Sequence, residues 1–326
     1  MTNWLSLNAW LGKRMFLVVV TALIGGIFFP LSDSSLLRQT TVLLFAYMTF
    51  VTALSTSLRD FLQVLRHPWQ PLWILALVHL ASPFTAWIVG HVFYPDEPLI
   101  RIGYLIGASI PVGVTSIIWT ALVQGDLAVS LVAVTLDTFL VPLVLPAFFH
   151  FAIGETIEIS YLKMVEDLLL MVTIPSLLGM LCNDLSKGRT ASFAKSVGGV
   201  TSKLSLSAVI FINSAVVMPL LSWNASTLKA LIITLGVVSA SFFVGWLGSL
   251  ALKDRRESTV LTMIYNVGIR NNACGVVLAL SYFPPAAAIP ITMSILYQQP
   301  VATLVPYVYR FFKRLGKKFE QENLRT

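Results

Sequence analysis

Marking every Lys, Arg, Asp and Glu along the chain leaves ten apolar stretches, near 15–32, 39–58, 70–94, 99–124, 127–153, 164–183, 202–221, 229–252, 258–283 and 286–309. Each approaches or exceeds the roughly 20 residues that a helix needs to cross a bilayer. The runs are continuously apolar and do not alternate at period two, so they predict helices and not the strands of a membrane barrel. Composition sharpens this. Only 11% of the 326 residues are charged and 56% are hydrophobic, with a mean hydropathy of +0.82, against about 25% charged residues in a soluble domain. The polar groups are too few to cover a water-facing surface. A cytosolic enzyme, a secreted disulfide scaffold and a disordered regulator are excluded together.

The net charge of +7 orients the helices. With the N-terminus in the cytoplasm, seventeen Lys and Arg residues fall inside and four (Arg38, Arg101, Lys163, Lys229) fall outside, the bias expected of cytoplasmic loops. An even number of spans puts both termini in the cytoplasm; the expected location is the cell (inner) membrane, and nucleic acid is not an expected partner. Lys13-Arg14 followed by an apolar run has the opening of a signal peptide. The run is long enough to span and no small-residue cleavage site ends it, so it reads as a retained first helix, with Trp4 and Trp10 at the interface. Cys182 and Cys274 have no metal-ligand spacing and read as small buried hydrophobes. The sequon Asn224-Ala225-Ser226 carries no weight as a chance match. The basic tail, 310–326, reads as a helix end on the anionic cytoplasmic surface.

Ten spans divide into a first repeat over 1–153, an external linker over 154–160 and a second repeat over 161–309. Five is odd, so a repeated unit inserts upside down the second time. Inverted repeats characterise secondary transporters, whose sites lie at the repeat interface between interrupted helices. Both halves carry an interruption in their fourth span. The first is Pro111-Val112-Gly113-Val114-Thr115-Ser116 and the second is Asn266-Val267-Gly268-Ile269-Arg270-Asn271-Asn272. Proline cannot donate to the helix ladder, and glycine tolerates unusual backbone angles. A proline kink plus a polar helix–helix contact is the blander reading of the same residues.

Scanning the spans for buried ionisable groups, away from the span ends, leaves two: Asp137 in the fifth and Arg270 in the ninth. A charge at that depth costs about 2.5–3.5 kcal/mol on insertion scales and is normally paired or functional. One of each sign, each in a different half, predicts that they neutralise each other across the interface; a purely structural pair is the alternative. His79, in the third span, reads as a packing residue first and a proton relay second. Thr115, Ser116, Ser130, Asn266, Asn271, Asn272, Gln298 and Gln299 supply uncharged polar groups around Arg270. A guanidinium beside half-helix N-termini makes a positive pocket for a small organic anion. No cofactor motif, Walker loop or zinc spacing is present, so no cofactor and no enzymatic activity are expected.

The first break, with Gln124-Gly125-Asp126-Leu127-Ala128-Val129-Ser130 after it, closely resembles the fourth and fifth helices of the bile acid:sodium symporter family. The second lies where that family has its ninth-helix crossover, and Leu65-Arg66-His67-Pro68 extends the similarity. The resemblance, from about Phe16 to Tyr309, implies an all-α membrane fold of ten helices in a five-plus-five inverted repeat. Helices 3, 4, 5, 8, 9 and 10 would form a core in which broken helices 4 and 9 cross. Helices 1, 2, 6 and 7 would form a panel against which the core moves. Of the family's sodium-coordinating positions Ser116 and Ser130 are retained. The others fall on Ile117, Val134, Asn266, Arg270 and Val78, so the resemblance stops short of its sodium sites. Arg270 then reads as a built-in cation, with Asp137 as its counter-charge and a candidate proton carrier. The expected partners are a small organic anion and the lipid bilayer.

Two other readings compete. The related arsenite-efflux permeases share patterns resembling Ile118-Trp119, Gly125-Asp126, Leu136-Asp137 and Asn271-Asn272, but their fourth-helix cysteine falls among Val112 and Gly113 here. From a different class, a non-transporting membrane receptor of the same fold would bind ligand without alternating access.

Overall fold

The computed structural model describes residues 2–58, 69–153, 160–221 and 224–323. The linker expected over 154–160 and the Leu65-Arg66-His67-Pro68 motif fall almost wholly outside these residues. The described chain is helical nearly throughout. Six helical stretches are long and apolar enough to cross a membrane, and a bent pair would make a seventh. The bent pair is α1 (Thr2–Lys13) and α2 (Met15–Phe28), which meet at 71°. At 1.5 Å per residue α2 reaches only about 21 Å, short of a bilayer's hydrocarbon core of about 30 Å. The expected first span is thus shorter than its apolar run, because Phe29–Ser34 leaves the helix before α3 (Ser35–Ala53) begins. Trp4 and Trp10 of α1 are exposed, as an interfacial helix requires.

The third apolar run folds as α4 (Trp69–Ala76), a wide π turn (Leu77–Ala81) and α5 (Ser82–Phe93). The fourth is broken into α6 (Pro98–Ser109) and α7 (Thr115–Leu122). The fifth is one helix, α8 (Leu127–Ile153), which continues through Pro142 and Pro146. The sixth repeats the wide turn: α9 (Tyr161–Leu168), Leu169–Thr173 and α10 (Ile174–Leu185). After the short α11 (Arg189–Lys195) come α12 (Val197–Val217) and α13 (Ala225–Ser249). The ninth run is again broken, into α14 (Glu257–Gly268) and α15 (Asn272–Tyr282), and α16 (Ile289–Asn323) ends the described chain. The Asn224 sequon residue caps α13, its side chain accepting from the Thr227 N–H at 3.1 Å.

Packing sorts these helices into two groups. α12 lies along α2 and α3, and α3 packs on α10. Separately, α13 packs on α14 and α16, α6 on α5 and α16, and α8 on α4 and α7. Large apolar side chains such as Leu43, Leu80, Phe84, Leu143 and Ile232 face outward, the inverse of a water-soluble surface and the face that lipid would cover. Small residues bring the helices of the second group close. A Cβ at Gly245 of α13 would lie 2.8 Å from the Ile264 Cα of α14, whereas one at Gly236 would meet nothing within 4 Å.

This contrast is testable. Gly245→Val should force α13 off α14 and cost about 1–3 kcal/mol, as overpacking does, lowering the unfolding midpoint of the detergent-purified protein by several degrees. Gly236→Val should leave the midpoint in place. Equal midpoints for the two variants would contradict the close approach.

Candidate functional site

The two broken spans are interrupted at the same place. Pro111 lacks the N–H that would continue α6, and the backbone turns extended at Ile110, with ψ 155°. Past Gly268, Ile269 is extended too, with ψ 115°. The freed segments satisfy each other. The Gly113 N–H donates to the Ile269 carbonyl at 2.9 Å and the Asn271 N–H to the Pro111 carbonyl at 2.8 Å. The result is a short antiparallel bridge between Val112 and Arg270. Gly113 permits it, because a Cβ there would stand 2.8 Å from the Arg270 carbonyl oxygen.

Four half-helix ends converge at this crossing. α6 and α14 present their C-termini, where partial negative charge collects, and α7 and α15 present their N-termini, which carry partial positive charge. Arg270 is 4% exposed. Its guanidinium reaches the C-terminal end of α6 at the Ile110 carbonyl (3.5 Å) and, in the π turn, the Val78 carbonyl (3.4 Å). Its Nε has no protein partner. Gln298 of α16 fixes the backbone of the same residue: its Oε1 accepts from the Arg270 N–H at 2.9 Å and its Nε2 donates to the Arg270 carbonyl at 3.0 Å. The Asn272 amide donates to the same Oε1 at 3.2 Å.

The expected Asp137–Arg270 ion pair is corrected by the geometry. Asp137, fully buried, accepts at Oδ1 from His79 Nε2 (2.6 Å) and at Oδ2 from the Val112 N–H (2.6 Å). The carboxylate is committed to the imidazole and to the crossing strand. Pairing by sign alone missed this, because His79 lies on the π turn that faces α8 and no spacing rule reveals that turn.

Behind the crossing, Ser116, Ser130 and Asn266 form a closed cluster. Asn266 Oδ1 accepts from Ser116 Oγ (3.1 Å) and Ser130 Oγ (2.8 Å), while its amide donates to the Thr262 carbonyl at 2.9 Å. In front lies a cavity of about 360 Å³, with Thr115, Arg270, Asn271, Asn272, Gln298 and Gln299 on one wall. The opposite wall comes from α3, α10 and α12, through Thr49, Thr52, Ser176 and Ser202. The sequence reading passed over these hydroxyl residues, since single Ser and Thr are common inside apolar spans. A second space of about 470 Å³ shares Thr52, Thr56, Ile117, Leu131 and Ser202 with the first and extends to Asn8, Lys195 and Lys203. Six of the ten expected site residues therefore line the cavity. Ser116, Ser130 and Asn266 stand behind it, and Asp137 holds the crossing strand.

Residues 41–223 match the model of the sodium bile acid symporter family. An uncharacterized protein of Bacillus subtilis (strain 168), YbaS, is 32% identical over 271 residues, covering 83% of this chain and 88% of the relative. The uncharacterized sodium-dependent transporter YocS of the same organism is 26% identical over 285 residues, covering 86% and 85%.

Gln298 makes a clean test of the crossing. Gln298→Leu would leave the Arg270 N–H and carbonyl buried without partners, at about 1–3 kcal/mol for each orphaned group. The unfolding midpoint in detergent should fall by more than that of Gln299→Leu, the neighbour bonded to Trp119 Nε1 at 2.8 Å. The reverse order would mean that the crossing is held by something else.

Proposed function

Because the chain belongs to the sodium bile acid symporter family, we propose that this membrane transporter is a secondary carrier of a small organic anion that works without sodium. The single observation that carries this reading is the seat of the Arg270 guanidinium against the carbonyls of Ile110 and Val78. Backbone carbonyls at a helix C-terminus and in a widened turn are what a hard cation would seek. Here a tethered cation already occupies that position.

Neither cluster of residues fits a sodium ion. The Asn266 oxygen is committed to two hydroxyls, and nothing in the Ser116–Ser130–Asn266 group supplies a carboxylate. The second position is filled by a positive charge that would repel the ion. The anion would lie in the cavity, against the N-termini of α7 and α15 and the polar wall of Thr115, Asn271, Asn272, Gln298 and Gln299. A volume of about 360 Å³ lies at the lower end of the range for small-molecule sites.

The cavity lies between the two groups of helices, so sliding one group against the other would expose it alternately to each side, as in other inverted-repeat carriers. In this reading α2, α3, α9–α10 and α12 are the panel and the remaining long helices the core. With the short α2 counted as one, the half-spans α6–α7 and α14–α15 complete ten crossings in two inverted sets. Asn8, Lys195 and Lys203 border the mouth. Under the positive-inside assignment that mouth faces the cytoplasm, and the described conformation is inward-open.

Proteoliposomes carrying the full chain should take up at least one of pyruvate, succinate and isethionate at the same rate in sodium and in choline. Arg270→Ala should lower that rate at least tenfold. Arg270→Lys should not restore it, since a point charge cannot reach both carbonyls. Uptake that collapses in choline would reject the reading. Arsenite sensitivity of a deletion strain, with no anion uptake by the wild type, would favour a metalloid permease.

A further inference from the structure

The anion reading leaves a charge problem, and the buried His79–Asp137 pair answers it. The pair is held at 2.6 Å with His79 7% exposed and Asp137 not at all. His79 sits on a π turn, a local widening that often marks functional positions in helices. Two hydrogen bonds link the pair to the crossing. Asp137 holds the N–H of Val112, which pairs with Arg270 and lines the cavity. The carbonyl of Val78, next to His79, accepts from the Arg270 guanidinium.

Few other charges face the pair. Arg270 is the charged group that reaches the π turn from the crossing. The elements packed on that turn also carry Arg101 of α6, His91 of α5 and Lys229 of α13, toward their ends. α14 contributes Glu257 at its far end, paired with Arg310 and Lys313. His150 stands near the end of α8, against Tyr161. Tyr104 of α6 donates to the Ala230 carbonyl, and the thiol of Cys274 on α15 is buried.

By formal charge Arg270 and Asp137 offset one another at the crossing. A monovalent anion entering beside Arg270 adds one negative charge to a buried, water-poor region, where uncompensated charge is costly. One proton on the imidazole cancels it. We propose that His79 and Asp137 form the proton-binding site of this carrier, coupling entry of one monovalent anion to one proton. This rests on the anion-transport reading above. With Nε2–H donated to Asp137, the incoming proton forms an N–H bond at Nδ1 and leaves from it when the anion departs. No bond to the anion forms, and nothing is oxidised or reduced.

The experiment uses the full chain in sodium-free proteoliposomes with a pH-reporting dye trapped inside. Isethionate is the first probe, since as the anion of a strong acid it carries no proton itself; pyruvate is the second. In the wild type, lowering the external pH from about 7.5 to about 6 should speed uptake and acidify the lumen by about one proton per anion. His79→Gln should lose at least tenfold in pH-driven accumulation yet keep measurable, reduced anion counterflow. Asp137→Asn, which keeps the shape of the carboxyl, should do the same. Anion uptake by the wild type with no lumen acidification would overturn the proton site and leave the anion reading intact. So would a His79→Gln carrier that accumulates anion with the normal pH response. If both variants fail to fold, the wild-type proton count decides alone. Failure of the wild type to move any of the probes would overturn the anion reading and this proposal with it.

Discussion

Two helices are broken among buried, mostly apolar neighbours, and they are broken where each can satisfy the other. The bonds from Gly113 to Ile269 and from Asn271 to Pro111 tie together segments more than 150 residues apart in sequence. In an apolar medium each unpaired N–H or carbonyl would cost several kcal/mol, so each break relieves the other. The surrounding features follow from that mutual dependence. Gly113 is required because the backbones must touch, and Pro111 forces the break to begin. Gln298 is required because the Arg270 peptide, turned out of its helix, keeps a donor and an acceptor that α14 no longer uses.

The crossing also leaves carbonyls facing a common space, at Ile110 and in the widened turn at Val78. Something positive has to stand there. An ion from solution and a guanidinium on the chain solve the same electrostatic problem with different consequences. A free ion is lost when the site opens, so its occupancy can change between conformations. A tethered one is always present. A carrier built on the second solution needs its variable charge elsewhere; in the proposal above the carboxylate–imidazole pair next to the crossing supplies it.

Much of this could be read from residue order. The apolar runs located the long helices, and proline, glycine and asparagine located both breaks. The unusual arginine, together with Gln298 and Gln299, marked the polar wall. Three things were hidden. The first apolar run does not yield a helix of spanning length, because Phe29–Ser34 departs from it and α1 bends away by 71°. The partner of Asp137 was misassigned because two opposite charges in matched halves suggest each other, while the π turn that aims His79 at α8 has no composition of its own. The facing hydroxyls of α3, α10 and α12 were indistinguishable from the Ser and Thr that bond their own helix four residues back, as Thr49 and Thr52 do here.

The proposed preference for an anion is compatible with a buried carboxylate at the crossing. Arg270 and Asp137 offset one another in total charge but not in position: the carboxylate is turned away onto His79 and the Val112 N–H, whereas the cavity wall is formed by Arg270 and the first residues of α7 and α15. A solute in the cavity therefore meets the positive ends of two helices and the cationic member of the pair, with the negative member one layer behind. Dipole ends of this kind act over about one helical turn. They select for negative charge on the part of the solute that reaches the crossing and leave the rest to the apolar and hydroxyl residues of the opposite wall. In the proposed anion-carrier reading, the broken helices would set the sign of the substrate and the helices packed across the cavity its shape.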